Sequence, residues 1–282
     1  MRRYFFSSLV IPFAVAAQPA PADPPALARA LESLKTANAW TLDKQVALCE
    51  IPAPPFKEGP RGEAFRRELV ALGYANARID EVGNVVAEVV GTSHGPTVML
   101  AGHLDTVFPE GTNVKVVRDG GRLKGAGIGD DCRGLAVVLA TARAVRQGGV
   151  KFAGRVIFVA NVGEEGAGNL RGTRHLIGTS YKGQVDYFIS VDGTGESITS
   201  RAVGSNRYSV HFQSPGGHSY GAFGIPNPIH AMGRAIAGIG DIQVPGSPRT
   251  TFNVGIVSGG TSVNSIAMEA VMDVDMRSES AE

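Results

Sequence analysis

The chain has 282 residues, 43% of them hydrophobic and 19% charged, which is ordinary globular composition and enough for one large domain or two smaller ones. A formal net charge of +1 excludes recruitment to nucleic acid or to an anionic membrane by bulk field. The 37 glycines fit many tight strand-to-helix connections, and no internal repeat is present.

Arg2 and Arg3 precede an apolar run from Tyr4 to Val15, and Ala14, Ala16 and Ala17 follow as a small-residue cleavage region. This predicts a secretory signal peptide over 1–17, too short to anchor stably in a bilayer, and a Pro/Ala-rich linker over 18–25. The expectation is an exported protein, periplasmic or secreted, with no membrane contact after cleavage. Export permits a disulfide between Cys49 and Cys132, and their spacing does not require one.

Leu27, Leu31 and Leu34 recur at helical spacing, so 26–49 reads as a helix, stopped by Ile51-Pro52-Ala53-Pro54-Pro55. A second amphipathic helix spans 62–72 and ends at Gly73. Residues 82–90 read as a strand entered at Asn84. The turn Gly91-Thr92-Ser93-His94-Gly95 matches G-x-S-x-G, but a serine nucleophile needs a strand-to-helix context. Here two predicted strands flank the turn, and Pro96 follows it.

The stretch from Val98 to Val107 reads VMLAGHLDTV, a buried strand opening into a polar tip. His103 and Asp105 lie two apart on an extended chain and so project to one side. Imidazole and carboxylate together suit zinc. A core histidine followed by a turn aspartate fits the same ten residues equally well. Residues 113–119 and 122–124 form a predicted hairpin around Gly120-Gly121. Then KGAGIGDDCRG, from Lys124 to Gly134, opens a helix through Leu135, Val138, Leu139 and Ala142. A glycine-rich helix start can cradle phosphate, but Asp130 and Asp131 put negative charge where the phosphate would sit. Adjacent carboxylates suit a cation instead.

Residues 155–162 read as a buried strand followed by Gly163-Glu164-Glu165-Gly166. Neighbours on an extended chain point apart, so the two glutamates do different jobs. Residues 168–177 look helical, with His175 a surface or packing residue. Residues 185–191 form a third apolar strand, ending in Asp192-Gly193. Strand after strand thus ends in His, Asp or Glu, at the carboxyl ends where open α/β sheets gather their ligands. Buried unpaired carboxylates are costly, and a dinuclear metal centre removes that cost.

After Thr199 the character changes. Residues 203–212 alternate as a strand, Ser214 to Ser219 form a loop, and 227–239 form a helix with Ile229, Met232, Ile236 and Ile239 inward. Two strands follow, 251–257 and 267–276, joined through GGTSVNS. This βαββ order predicts a small antiparallel sheet with helices on one face. The expected division is 26–200 for a metal-binding catalytic domain and 201–282 for a second domain.

GHLDTV, GAGIGDD, GEEG, SVDG, the GGHS loop and GGTSVNSI followed by VDMRS resemble, in this order, the co-catalytic zinc exopeptidase family. That family includes the peptidase T, aminoacylase, succinyl-diaminopimelate desuccinylase and glutamate carboxypeptidase types. The similarity runs from Leu42 to Ser278. It implies an α/β fold, with a zinc-exopeptidase-like catalytic domain and an inserted α+β ferredoxin-like lid domain. It also implies two zincs. His103 and Asp192 would hold one, Asp130 would bridge both, and Glu165 would serve the second. Asp105 would orient His103, which fixes the ring tautomer. Glu164 would act as general base on the metal-bridging water and pass the proton to the leaving amine. His218 would stabilise the oxyanion, and Asn264 and Arg277 would contact a substrate carboxylate. For Asn264 a turn cap, and for Arg277 a surface ion pair, are the alternative roles.

Family members continue past the second domain and supply a last zinc-binding histidine, whereas this sequence stops at Glu282. The expectation is therefore a protein truncated at its carboxyl end, with both domains incomplete, no imidazole at the second zinc and apolar surface left exposed. His94, His175, His211 and His230 lie in turn, helix or strand patterns unsuited to replace it. The resemblance implies hydrolysis of amide bonds in short peptides and a homodimer through the lid domain. N-acyl-amino-acid deacylation is the second reading, and a non-catalytic zinc-binding, dimerising fragment the third.

Overall fold

The computed structural model describes residues 24–200 and 202–280, so the expected signal peptide and most of the expected linker lie outside the described residues. The protein divides into two compact units, one ending at Gly195 and one beginning at Glu196.

The first unit opens with helices α1 (Pro24–Thr36), α2 (Asn38–Cys49) and α3 (Gly59–Ala71). The single helix expected over 26–49 is broken at Ala37. Ser33 and Thr36 both turn their hydroxyls back onto carbonyls of the preceding turn, which competes with the helical ladder. α1 buries Ala26 and Ala30, and α2 buries Gln45, Leu48 and Cys49. Strands β1 (Arg78–Ile79), β2 (Val85–Val90) and β3 (Thr97–His103) follow, then the hairpin of β4 (Val117–Asp119) and β5 (Arg122–Lys124). Helix α4 (Cys132–Gly148) crosses to β6 (Arg155–Asn161). A 3₁₀ turn (Gly166–Gly168), helix α5 (Arg171–His175) and a π-helical turn (Leu176–Ser180) lead to β7 (Tyr187–Ser190). The helix expected over 168–177 is thus divided, because Asn169 and Leu170 both take positive φ.

These strands form one sheet in the order β1-β2-β6-β3-β7. β3 runs parallel to β6 and β7, and β2 antiparallel to β6. Alternation at period two feeds both faces, which explains the near-continuous apolar runs in the sequence. Val85, Phe158 and Ala160 pack with Leu48, Phe65, Leu69, Leu135 and Leu139 on the face covered by helices. Val86, Met99, Ala101, Ile157 and Val159 pack with Leu176 and Tyr181 on the other. β1 and β7 are the edges, and Tyr187 and Ile189 of β7 are exposed. Gly102 permits α4 to seat on β3: a Cβ there would stand 3.0 Å from both Asp131 Oδ2 and the Gly134 carbonyl carbon.

The second unit contains β8 (Gly204–Gln213), β9 (Gly217–His218), α6 (Pro228–Gly240), β10 (Thr250–Gly259), β11 (Ser265–Ile266) and β12 (Glu269–Ser278). Its three-stranded antiparallel sheet has the order β10-β12-β8, and β9 pairs with β11. Ala270, Met272 and Val274 alternate inward along β12 and meet Met232, Ile236 and Ile239 of α6. Asn227 caps α6 by accepting from the Ile229 amide, with Pro228 at the first helical position. Among the described residues, no helix is long and apolar enough to cross a membrane.

Candidate metal centre

The tips of β3, β6 and β7 and the start of α4 bring one imidazole and four carboxylates together. Ligand atoms of His103, Asp130 and Asp192 lie within 4.8 Å of one another, and so do those of His103, Glu164 and Glu165. His103 belongs to both groups. Among the described residues it is the one imidazole in either. Its Nε2 stands 2.9 Å from Asp130 Oδ1, and Asp130 is more than half exposed.

The buried side of the centre is held by hydrogen bonds from strand and helix ends. His103 Nδ1 lies 3.0 Å from the main-chain oxygen of Asp105 and 3.5 Å from its carboxylate. The Asp105 carboxylate, fully buried, instead accepts from the amides of Glu164 (3.0 Å) and Glu165 (2.8 Å). It therefore ties the tip of β3 to the loop after β6. Asp131, also fully buried, caps α4 by accepting from the Gly134 amide and takes the His103 amide at 2.8 Å. Arg133 donates to the Gly193 carbonyl and so fixes the turn that carries Asp192.

Burial acts against the protonated His103 ring, yet Asp105, Asp131 and Glu164 outweigh it and raise the pKa to about 10. Burial pushes Asp131 up to about 8 against the pull of His103. Burial also pushes Asp105 upward, but the His103 ring and the two glutamate amides hold it below the usual carboxylate range. Glu164 and Glu165 are raised, by burial first and by neighbouring carboxylates after it. Carboxylates crowded around one imidazole repel each other, and their nitrogen and oxygen donors are those that divalent cations prefer. The residues fit a metal.

Beside Asp130 opens a cleft of about 340 Å³, lined by Val107, Phe108, Ile128, Asp130 and Thr194. In the second unit a larger cleft of about 650 Å³ is lined by His218, Asn264, Ser258 and Glu269. There β9 pairs with β11, Ser219 donates to the Asn264 carbonyl, and the Asn264 side chain accepts from Ser262. Arg277 is not brought to that cleft. It bonds Asp275 at 2.7 Å, eight residues along β12 from Glu269, a rise of about 26 Å in an extended strand.

Sequence reasoning assigned no role to Arg61 or to Glu58 and Arg171. Arg61 is fully buried and donates to the carbonyls of Cys49, Ile51 and Leu104. Glu58, 3% exposed, is gripped by Arg171. An arginine in the first turn of an otherwise amphipathic helix is an ordinary surface pattern, so no signal marked Arg61 in advance. Cys49 and Cys132 are buried free thiols.

The model for peptidase family M20/M25/M40 matches residues 99–274. Carboxypeptidase G2 of Pseudomonas sp. strain RS-16 is 30% identical over 152 residues, covering 51% of this chain and 36% of that protein. Aminopeptidase PepT of Bacillus cereus shares the fold with a TM-score of 0.65 at 20% identity, over 86% of this chain and 66% of that one. The Bacillus subtilis YXEP protein, described as a dinuclear metal-binding peptidase, does so with a TM-score of 0.60 at 19% identity, over 88% and 66%. This chain therefore spans about a third of the length of the carboxypeptidase and just under two thirds of the two solved structures. Matched by the family model over more than half of its length, the chain belongs to peptidase family M20/M25/M40.

Proposed function

We propose that this protein is a zinc-dependent hydrolase that cuts an amide bond in a short peptide. One observation carries the reading: His103, Asp130, Asp192, Glu164 and Glu165 converge in two overlapping groups with ligand-atom spacings within 4.8 Å. His103 and Asp192 would hold one ion, Asp130 would bridge to a second, and Glu165 would serve that second ion. Bound there, the ions would neutralise the carboxylates and supply Lewis acidity to the scissile carbonyl.

The protein's own residues do the rest. Glu164 stands beside Glu165 in the group that shares His103, and we assign it to the water and not to an ion. Its raised pKa suits a group that accepts a proton from the attacking water and returns it to the departing amine. Asp105 holds the Glu164 and Glu165 amides and sits behind His103, so the base and the imidazole are set by one buried carboxylate. The cleft lined by Val107, Phe108 and Ile128 offers space for an apolar substrate group beside Asp130. In the second unit, His218 and Asn264 share one cleft and are the polar groups we assign to substrate binding, His218 toward the oxyanion. Arg277 lies away from that cleft and bonds Asp275, the surface ion pair that was its alternative role, so the substrate-carboxylate contact is assigned to Asn264 alone.

The test is a panel of dipeptides, tripeptides and N-acyl amino acids with Glu164→Gln alongside the natural protein. Peptide turnover that vanishes in Glu164→Gln while zinc stays bound supports the reading. Turnover retained by Glu164→Gln defeats the role of the base. Preference for N-acyl amino acids over peptides moves the assignment to a deacylase. Two bound zincs without turnover on any substrate leave a non-catalytic metal-binding protein.

A further inference from the structure

Arg171 lies behind the glutamate loop, and the backbone bends into uncommon conformations around it. Its Nη2 donates to both Glu58 oxygens, at 2.7 and 2.8 Å, and its guanidinium stacks 4.7 Å from the Phe56 ring. Its backbone amide donates to the Gly163 carbonyl, and a Cβ at Gly163 would fall 1.9 Å from Arg171 Nη1. The guanidinium thus rests directly on the residue before Glu164, where only glycine leaves room. Among the described residues three non-glycine positions take positive φ: Phe56 (66°), Asn169 (52°) and Leu170 (56°). All three belong to the two loops that bring Phe56, Glu58 and Arg171 together. Such conformations persist where the surroundings overdetermine them, and they cluster at sites whose geometry matters.

The other end of the contact is equally specific. Glu58 stands at the N-cap position of α3, its side chain turned to Arg171 and not onto the helix, and Arg61 lies three residues on, hence on the same face. Arg61 donates at 2.8 Å to the carbonyl of Leu104, the residue between His103 and Asp105. One helical turn therefore holds both strand tips, β3 through Arg61 and the loop after β6 through Glu58 and Arg171.

We infer that the Glu58–Arg171 pair is a positioning device: with Arg61 it sets the distance between the His103 tip and the Glu164-Glu165 loop, making Arg171 a positioning residue for the centre. Asp105 grips the two glutamate amides from the side of β3, and Arg171 presses from behind Gly163. The planar guanidinium, with Nη2 spanning both Glu58 oxygens and its face on the Phe56 ring, carries the effect, because a point charge or an apolar side chain fills the space without fixing the angle. The inference rests on the roles proposed above for Glu164 and Glu165.

The experiment compares Arg171→Met, Arg171→Lys, Glu58→Met and the double variant Glu58→Met/Arg171→Met with the natural protein. Three quantities are read: thermal midpoint, amide exchange of Glu164 and Glu165 in chelator-treated protein, and zinc affinity by titration. Removing one partner leaves the other unpaired and lowers the midpoint, whereas the apolar double variant recovers it. The positioning role predicts that the double variant, midpoint recovered, still exchanges the two amides about tenfold faster and holds zinc about tenfold more weakly. Arg171→Lys should show the same weakening. Exchange and zinc affinity that return with the midpoint would reduce the pair to a structural one and overturn the inference. A natural protein that binds no zinc would defeat the proposed function, while the exchange measurement would still decide this point.

Discussion

Removal of the Asp105 carboxylate is the sharpest perturbation the structure offers. Asp105 is fully buried, and its two oxygens accept from the amides of Glu164 at 3.0 Å and Glu165 at 2.8 Å. Asp105→Ala leaves both donors without a partner in a part-buried loop. Each unsatisfied donor costs about 1–3 kcal/mol, so the variant should lose about 2–6 kcal/mol of stability. Asp105→Asn keeps one acceptor and turns an NH₂ toward the other amide, so its loss should fall near the lower end of that range. Urea unfolding in chelator isolates this term from metal binding, and repetition with zinc adds the loss of a correctly held His103 and Glu165. Zinc should therefore stabilise the natural protein more than either variant. A change below about 0.5 kcal/mol for Asp105→Ala in chelator is the scale of an inert surface substitution. That result would refute the role of Asp105 as the tie between strand tips.

Gly134→Ala should displace α4 from the strand tips, since the added Cβ would meet the Val191 carbonyl at 2.3 Å and the Asp131 carboxylate. Overpacking of that kind costs about 1–3 kcal/mol or more, whereas Gly233→Ala on the open face of α6 should stabilise by about 0.5–1 kcal/mol; unfolding midpoints give both. Burial raises Tyr74 and Tyr181 to about 12 from an ordinary 10. The unfolded protein therefore releases these protons first, so their contribution is intact below pH 10 and is lost as the pH climbs towards 12. Tyr74→Phe should flatten the alkaline fall in urea midpoint, and an unchanged slope would contradict the assignment. Cys49 and Cys132, both fully buried, should react with an aromatic disulfide reagent only after unfolding, and rapid labelling of the native protein would show otherwise.

The cluster was legible from sequence because its polar residues lie at the ends of apolar strands, where a polar residue has few structural reasons to sit. His103, Asp130, Glu164, Glu165 and Asp192 could be picked out one strand at a time, and their order supplied the family resemblance. Their division of labour was less legible. Asp105 and Asp131 look like further donors in sequence, yet one serves the glutamate amides and the other caps α4. The choice between ligand and cap depends on which way a carboxylate turns, and residue spacing does not carry that. Glu58 and Arg171 stand 113 residues apart and meet through two irregular loops, beyond any periodicity. The break at Ala37 escaped because Ala37 is itself a good helix former, and the hydroxyls of Ser33 and Thr36 that turn back onto the preceding turn leave no mark in the spacing.

The donors proposed for the metal, His103, Asp130, Glu165 and Asp192, are each delivered by a different crossing of the backbone. No short peptide cut from this protein contains the cage, so a polypeptide still emerging from the ribosome has nothing with which to capture an ion until Asp192 is out and the strands have lined up. On the proposed reading, loading waits until these segments have folded together. An ion found on it is evidence that assembly has run to completion, and stripping the ion away should cost the native form while leaving the denatured one indifferent.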